Sequence, residues 1–103
     1  MNLSDFGRFT DPAMLILISL ADGPKHGYAI TEDIDRFAGF RLGPGTLYGA
    51  LARLEERGLI AALPPEDRRR PYRLTPSGEA ALRYQLHSLE AIAAEARRRV
   101  PAQ

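Results

Sequence analysis

Three dipeptides limit where helices can begin in this chain: Asp11-Pro12, Gly43-Pro44 and Thr75-Pro76. Proline lacks a backbone N–H and has its φ preset near the helical value, so it is at ease only in the first helical turn. Asp or Thr just before it can cap the free N–H groups, and Gly is tolerated there. Each dipeptide is therefore a helix start. The stops are equally local: Asp22-Gly23-Pro24, Ala38-Gly39 and Gly58 each close an apolar, periodic stretch.

The segments between these marks have distinct patterns. The first helix, to about Ala21, carries Met14, Leu15, Ile16, Leu17, Ile18 and Leu20 and is apolar nearly all round. Such a helix needs cover on several sides, from its own domain and from a second subunit. A second helix opens near His26-Gly27-Tyr28, with Ile30, Ile34 and Phe37 on one stripe, and a third buries Leu47, Leu51 and Leu54. Leu59 to Leu63 and Tyr72 to Leu74 have strand character, and the polar segment from Pro64 to Pro71 joins them as a hairpin tip. A long helix then runs from Thr75-Pro76 to about Val100. This order predicts a mainly α fold: a winged helix-turn-helix with a two-stranded β-hairpin wing and an added C-terminal helix.

Composition removes several kinds of chemistry. A chain of 103 residues fits one domain. It has no Cys, which excludes disulfides, thiolate metal sites and thiol catalysis and fits a reducing cytoplasm. The longest apolar run, Ala13 to Ala21, is broken only by Ser19 and is about half the length a bilayer span needs, so no membrane partner is expected. His26 and His87 are the only histidines and join no carboxylate pattern, so neither a metal nor a cofactor is expected. His26 fits a turn or cap, His87 a surface. No nucleophile–base pair and no Gly-rich phosphate loop suggests an enzyme. The formal net charge is only +1, so any case for nucleic acid must come from where the charges sit.

Two elements supply that case. With the leucines of the third helix facing inward, Gly45, Gly49, Ala52 and Glu56 fall on the opposite side; Thr46 and Arg53 lie along one edge and Tyr48 along the other. A face of glycine and alanine is poor for helix propensity but permits close approach, as to the floor of a DNA groove. It also describes an ordinary surface helix. The amides near Pro44 to Thr46 suit a phosphate. At the hairpin tip, Arg68, Arg69 and Arg70 offer guanidinium forks to phosphates or a narrow minor groove, partly offset by Glu66 and Asp67. The pair points to DNA where neither element does alone. Tyr28 and Tyr48, each near a helix start, fit a phosphate-contacting hydroxyl and a core tyrosine equally well. The candidate DNA-binding residues are thus Tyr28, Pro44, Gly45, Thr46, Tyr48, Gly49, Arg53, Arg68, Arg69 and Arg70.

In the last helix Leu82, Leu86, Leu89, Ala93, Ala96 and Val100 recur at alternating spacings of four and three, the stripe of a helix packed lengthwise on another. About 25 helical residues span nearly 40 Å, more than a domain of this size needs to cover itself. A homodimer is expected, joined by this stripe together with Met14, Leu15, Leu17 and Ile18. Two-fold symmetry would set two reading helices about one helical turn apart on a double-stranded operator. The expected organisation is a flexible arm over 1–10, a DNA-binding winged helix domain over 11–75 and a dimerisation helix over 76–103. A competing expectation, favoured by the low net charge and by Glu56, is a winged helix module that binds protein and never DNA.

The runs HGYAI at 26–30, GPGTLYGALARLEERGLI at 43–60 and RRRPYRLTPSG at 68–78 resemble the PadR family of bacterial transcriptional regulators. The likeness extends from about Ala13 to Leu89, and its linked HGY, GTLY, GLI and YRLT-x-x-G elements are specific in combination. It implies a winged helix dimer joined by the first and last helices, groove reading by the helix carrying Gly45 to Tyr48, and phosphate contacts from the wing. It also implies a repressor, released in many members by a small aromatic or cationic effector. A single C-terminal helix matches the short subfamily. Gly49 stands where the family often has Pro, and with no Trp in the chain Tyr84 is the only aromatic residue on the last helix.

Overall fold

The computed structural model describes residues 11–102; the expected arm over 1–10 lies outside them. Four helices follow the sequence marks closely: α1 (Pro12–Leu20), α2 (Gly27–Ala38), α3 (Pro44–Glu56) and α4 (Pro76–Arg99). Asp11 caps α1 by accepting from the Ala13 N–H at 2.8 Å, and Thr75 caps α4 by accepting from Gly78 at 3.0 Å. Gly39 closes α2 in the left-handed conformation, at φ 79°.

The strands are β1 (Lys25–His26), β2 (Ile60–Ala62) and β3 (Pro71–Leu74), in the order β1-β3-β2. The predicted β2–β3 hairpin is present, and it gains a third strand. Lys25 pairs with Tyr72 and His26 with Pro71, antiparallel, so the start of α2 is stitched to the base of the wing. Two residues are too few to show a period, which is why this strand has no signature in the sequence.

Helix α1 sits at the centre, packed against α2, α3, α4 and β3. Met14, Leu15, Ile16, Leu17 and Leu20 are all buried within the protomer, each contributing roughly 1.5–3 kcal/mol of transfer free energy. Most of the cover that this all-round apolar helix requires thus comes from its own domain. Ile18 alone among its large side chains stays half-buried. Ser19, the one polar residue in the run, is buried and donates to Asp33 Oδ2 at 2.7 Å. Lys25 donates to the Ser19 carbonyl and pairs with Asp22 at 2.5 Å, so this polar knot ties the end of α1 to β1 and α2.

One stripe residue departs from expectation. Ile30 and Ile34 are buried, but Phe37, on the last turn of α2, is exposed, and Thr31 takes the inward place instead, donating to the Gly27 carbonyl at 3.1 Å. On the last turn of α2 it is Ala38, one residue further round, that packs against the core. Beyond Leu82, α4 leaves the core: none of its later residues is buried.

Candidate nucleic-acid interface

The wing, the start of α2 and the start of α3 enclose one concave cleft of about 430 Å³, lined by His26, Gly27, Tyr28, Tyr48, Arg68, Arg69, Arg70 and Tyr72. Strand β1 is the cause of the convergence, since it ties the residue before α2 to the strand after the wing tip. The tip is tight. Glu66 and Arg69 exchange backbone hydrogen bonds at 2.6 and 2.7 Å, and the two residues between them, Asp67 and Arg68, sit at φ 46° and 67°. Two left-handed residues are what a type I′ hairpin requires, usually at Asn-Gly or Asp-Gly. An arginine there is strained.

Both tyrosines are largely exposed, Tyr28 at 63% and Tyr48 at 55%, so neither is a core residue. Tyr48 lies across the first turn of α2. A Cβ on Gly27 would stand 2.7 Å from its hydroxyl, so any other residue there would push that exposed phenol aside. Tyr72, on β3, is half-buried at the back of the cleft, and burial pushes its hydroxyl pKa up.

His26 is the N-cap of α2, its Nδ1 accepting from the Ala29 N–H at 3.4 Å, which bears out its reading as a cap. Arg69 Nη1 stands 3.3 Å from Nε2 of the same ring. A neutral imidazole that accepts at Nδ1 carries its proton at Nε2 and cannot also accept from Arg69. The guanidinium therefore keeps its donors for another acceptor. His87 is exposed on α4, as expected.

Helix α3 presents the face that the leucine stripe predicts. Leu47, Ala50, Leu51 and Leu54 are buried, Gly45, Thr46, Ala52, Arg53 and Glu56 are exposed, and Gly49 is half-exposed beside Arg53. Its N-cap is Gly43, which offers no side-chain acceptor, whereas α1, α2 and α4 are each capped by a side chain. The first-turn N–H groups behind Pro44 are thus left to solvent or to an anion.

The dimer candidates separate into two groups. Met14, Leu15, Leu17 and Leu82 are buried in the protomer's own core and have little area left to give a partner. Leu86, Leu89, Ala96 and Val100 are exposed along α4, and Ala93 and Ile18 are half-buried. Ile92, which the spacing rule missed, stands 65% exposed one turn from Leu89. Among the described residues no group of three or more His, Asp or Glu is placed to hold a metal, and no helix is long and apolar enough to cross a membrane.

Residues 16–84 match the family described as the Transcriptional regulator PadR-like family. The chain is 52% identical over 82 residues to an uncharacterized 37.1 kDa protein in transposon TN4556 of Streptomyces fradiae, a match covering 80% of this chain but only 24% of that protein. It is 43% identical over 86 residues to the transcriptional regulator Rv3488 of Mycobacterium tuberculosis, covering 78% of this chain and 77% of that one. The crystal structure of a PadR family transcription regulator from Clostridium difficile superposes with a TM-score of 0.79 at 26% identity, over 86% of this chain and 97% of the other.

Proposed function

The chain belongs to the PadR-like family of transcriptional regulators, and from that premise we propose that it is a homodimer that binds double-stranded operator DNA, with α3 in the major groove and the wing on flanking phosphates. One observation carries this: a single cleft brings Tyr28, Tyr48 and the three wing arginines together beside the start of α3. Those hydroxyls and guanidiniums suit phosphate oxygens, which hold a protein in register on the duplex. The small outer face formed by Gly45, Gly49 and Ala52 can then approach the base edges, with Thr46 and Arg53 placed to read them.

Gly49→Leu is the direct test of that approach. A Cβ added at Gly49 meets only Arg53 Nη1, at an ordinary contact distance of 3.5 Å, and the position is half-exposed on the outer face. In a groove the leucine would collide with the floor. Affinity for the gene's own upstream DNA should fall at least tenfold, about 1.4 kcal/mol, with the melting temperature held within a few degrees. Unchanged binding in a gel-shift titration would remove α3 from the groove.

The second half of the proposal is the dimer. The exposed stripe of Leu86, Leu89, Ile92, Ala96 and Val100 along α4 supports it, since an uncovered apolar face of this length is unusual on a monomer. Light scattering at micromolar concentration should return twice the 11.4 kDa chain mass. Leu89→Glu with Ile92→Glu should return the monomer, because the charges would lie in the seam. Repression, with release by a small aromatic or cationic effector in the cytoplasm, is the mode of action that family membership supports. An operator overlapping the promoter would be its mark.

A further inference from the structure

Arg41 stands in the connection between α2 and α3, outside every residue set considered so far. Its Nη1 donates to Glu32 Oε1 at 2.6 Å, with Asp35 Oδ2 at 3.9 Å. Its guanidinium also lies over the ring of Tyr28, 5.9 Å from the centroid. Arg41, Tyr28, Tyr48 and Pro44 border one shallow recess at the first turn of α3, where no side chain caps the helix.

The position and the partners pull in different directions. A guanidinium stacked on a tyrosine beside open helix amides is suitably placed to fork onto a phosphate. In the free protein that fork is already occupied by a carboxylate. Arg41 and Glu32 are each about half exposed, so water and salt compete for the pair and it breaks cheaply. Arg41 also holds the Glu32 carboxyl below its ordinary pKa, so the carboxylate is charged throughout the neutral range.

We propose that Glu32 is an internal stand-in for a DNA phosphate: it holds Arg41 against Tyr28 in the free protein and yields it to the backbone when α3 docks. This deepens the reading of α3 as the groove helix and rests on it. Arg41 becomes a phosphate contact, and Glu32 a positioning residue that acts through it. The exchange weakens binding to any duplex that cannot present a phosphate at this spot, because the ion pair is then broken without replacement. Asp35, the other carboxylate facing Arg41, stands 3.9 Å from it.

The test is a double-mutant cycle on the full chain, with affinity measured against salt on a generic duplex and on upstream DNA. Arg41→Ala should lower the salt slope by about 0.9, the share of one phosphate contact, and weaken binding. Glu32→Gln should tighten binding about two- to fivefold, the range of an exposed ion pair, and that gain should vanish in the Arg41→Ala background. Arg41→Lys should keep the slope while losing part of the affinity, because it retains the charge without the fork. All these side chains are at the surface, so melting temperatures should stay level. An Arg41→Ala protein with unchanged slope and affinity overturns the proposal while α3 docking stands. So does a Glu32→Gln gain that persists without Arg41, which would mean simple repulsion. A wild-type chain that binds no duplex overturns the parent reading and this one with it.

Discussion

Gly78→Ala is expected to destabilise the domain by about 3 kcal/mol, although a helix-propensity scale predicts a gain of about 1 kcal/mol at the same position. The residue lies in the first turn of α4 and is buried. A Cβ there would stand 2.0 Å from the Leu59 carbonyl oxygen and 2.8 Å from Leu74 Cδ1. The first contact is with backbone, so no rotamer change relieves it; α4 must lift away from the turn that follows α3. That turn is a junction. Leu59 O accepts from the Thr75 N–H at 3.1 Å, Thr75 Oγ1 donates to the Gly58 carbonyl at 2.7 Å, and the same oxygen accepts from Gly78 N–H. Lifting α4 therefore also strains the cap that starts it. At roughly 4–8 °C per kcal/mol for a domain of this size, the melting temperature should drop by more than 10 °C at matched protein concentration. A drop of under 3 °C would show that α4 tolerates the shift, and the junction would lose its importance.

The same junction shows which features can be read from sequence. Helix starts were legible because Asp11-Pro12, Gly43-Pro44 and Thr75-Pro76 act through local backbone chemistry, and each opens a helix in the structure. The inward leucines of α3 were legible because periodicity is local too. What stayed hidden depends on distant partners. Strand β1 exists because Lys25 and His26 meet Tyr72 and Pro71. Gly78 sits in a helix at a cost to propensity, and only the approach of Leu59 explains it. Phe37 keeps the spacing of α2 but faces solvent, because Ala38 beside it takes the place against the core. Exposure removes the core reading of Tyr28 and Tyr48, and no spacing rule supplies exposure. In the candidate interface, Tyr28, Tyr48 and the three wing arginines line one cleft, whereas Pro44, Gly45, Thr46, Gly49 and Arg53 lie outside it, and Arg41 with its hold on Glu32 was invisible. Arg41 and Glu32 lie on either side of a helix end, where i, i+4 reasoning does not apply.

Replacing Arg68, Arg69 and Arg70 together with Ala should have the largest effect on binding. If each guanidinium releases one counterion from the duplex, the salt slope should fall by about 2.7, since each phosphate contact contributes about 0.9. At about 0.15 M salt each such contact is worth roughly fivefold, so the triple change should weaken binding on the order of a hundredfold, for operator and generic duplex alike. A uniform loss is the signature of phosphate contacts; a loss confined to the operator would instead mean base reading by the wing. The three positions differ in kind, which allows a control. Arg68 occupies a left-handed site at φ 67°, where glycine is at ease. Arg68→Gly should relieve the turn and leave the fold at least as stable while still losing one contact, so weaker binding by that variant cannot be blamed on a damaged hairpin. Arg69 faces His26 at 3.3 Å, and its removal leaves the cap of α2 in place because that cap uses the other ring nitrogen. Neighbouring Glu66 and Asp67 remain in the triple variant and would then give the tip a net negative charge. The measured loss should therefore exceed the counterion share alone. Binding unchanged in both slope and affinity would detach the wing from DNA and leave α3 to carry the interface without it.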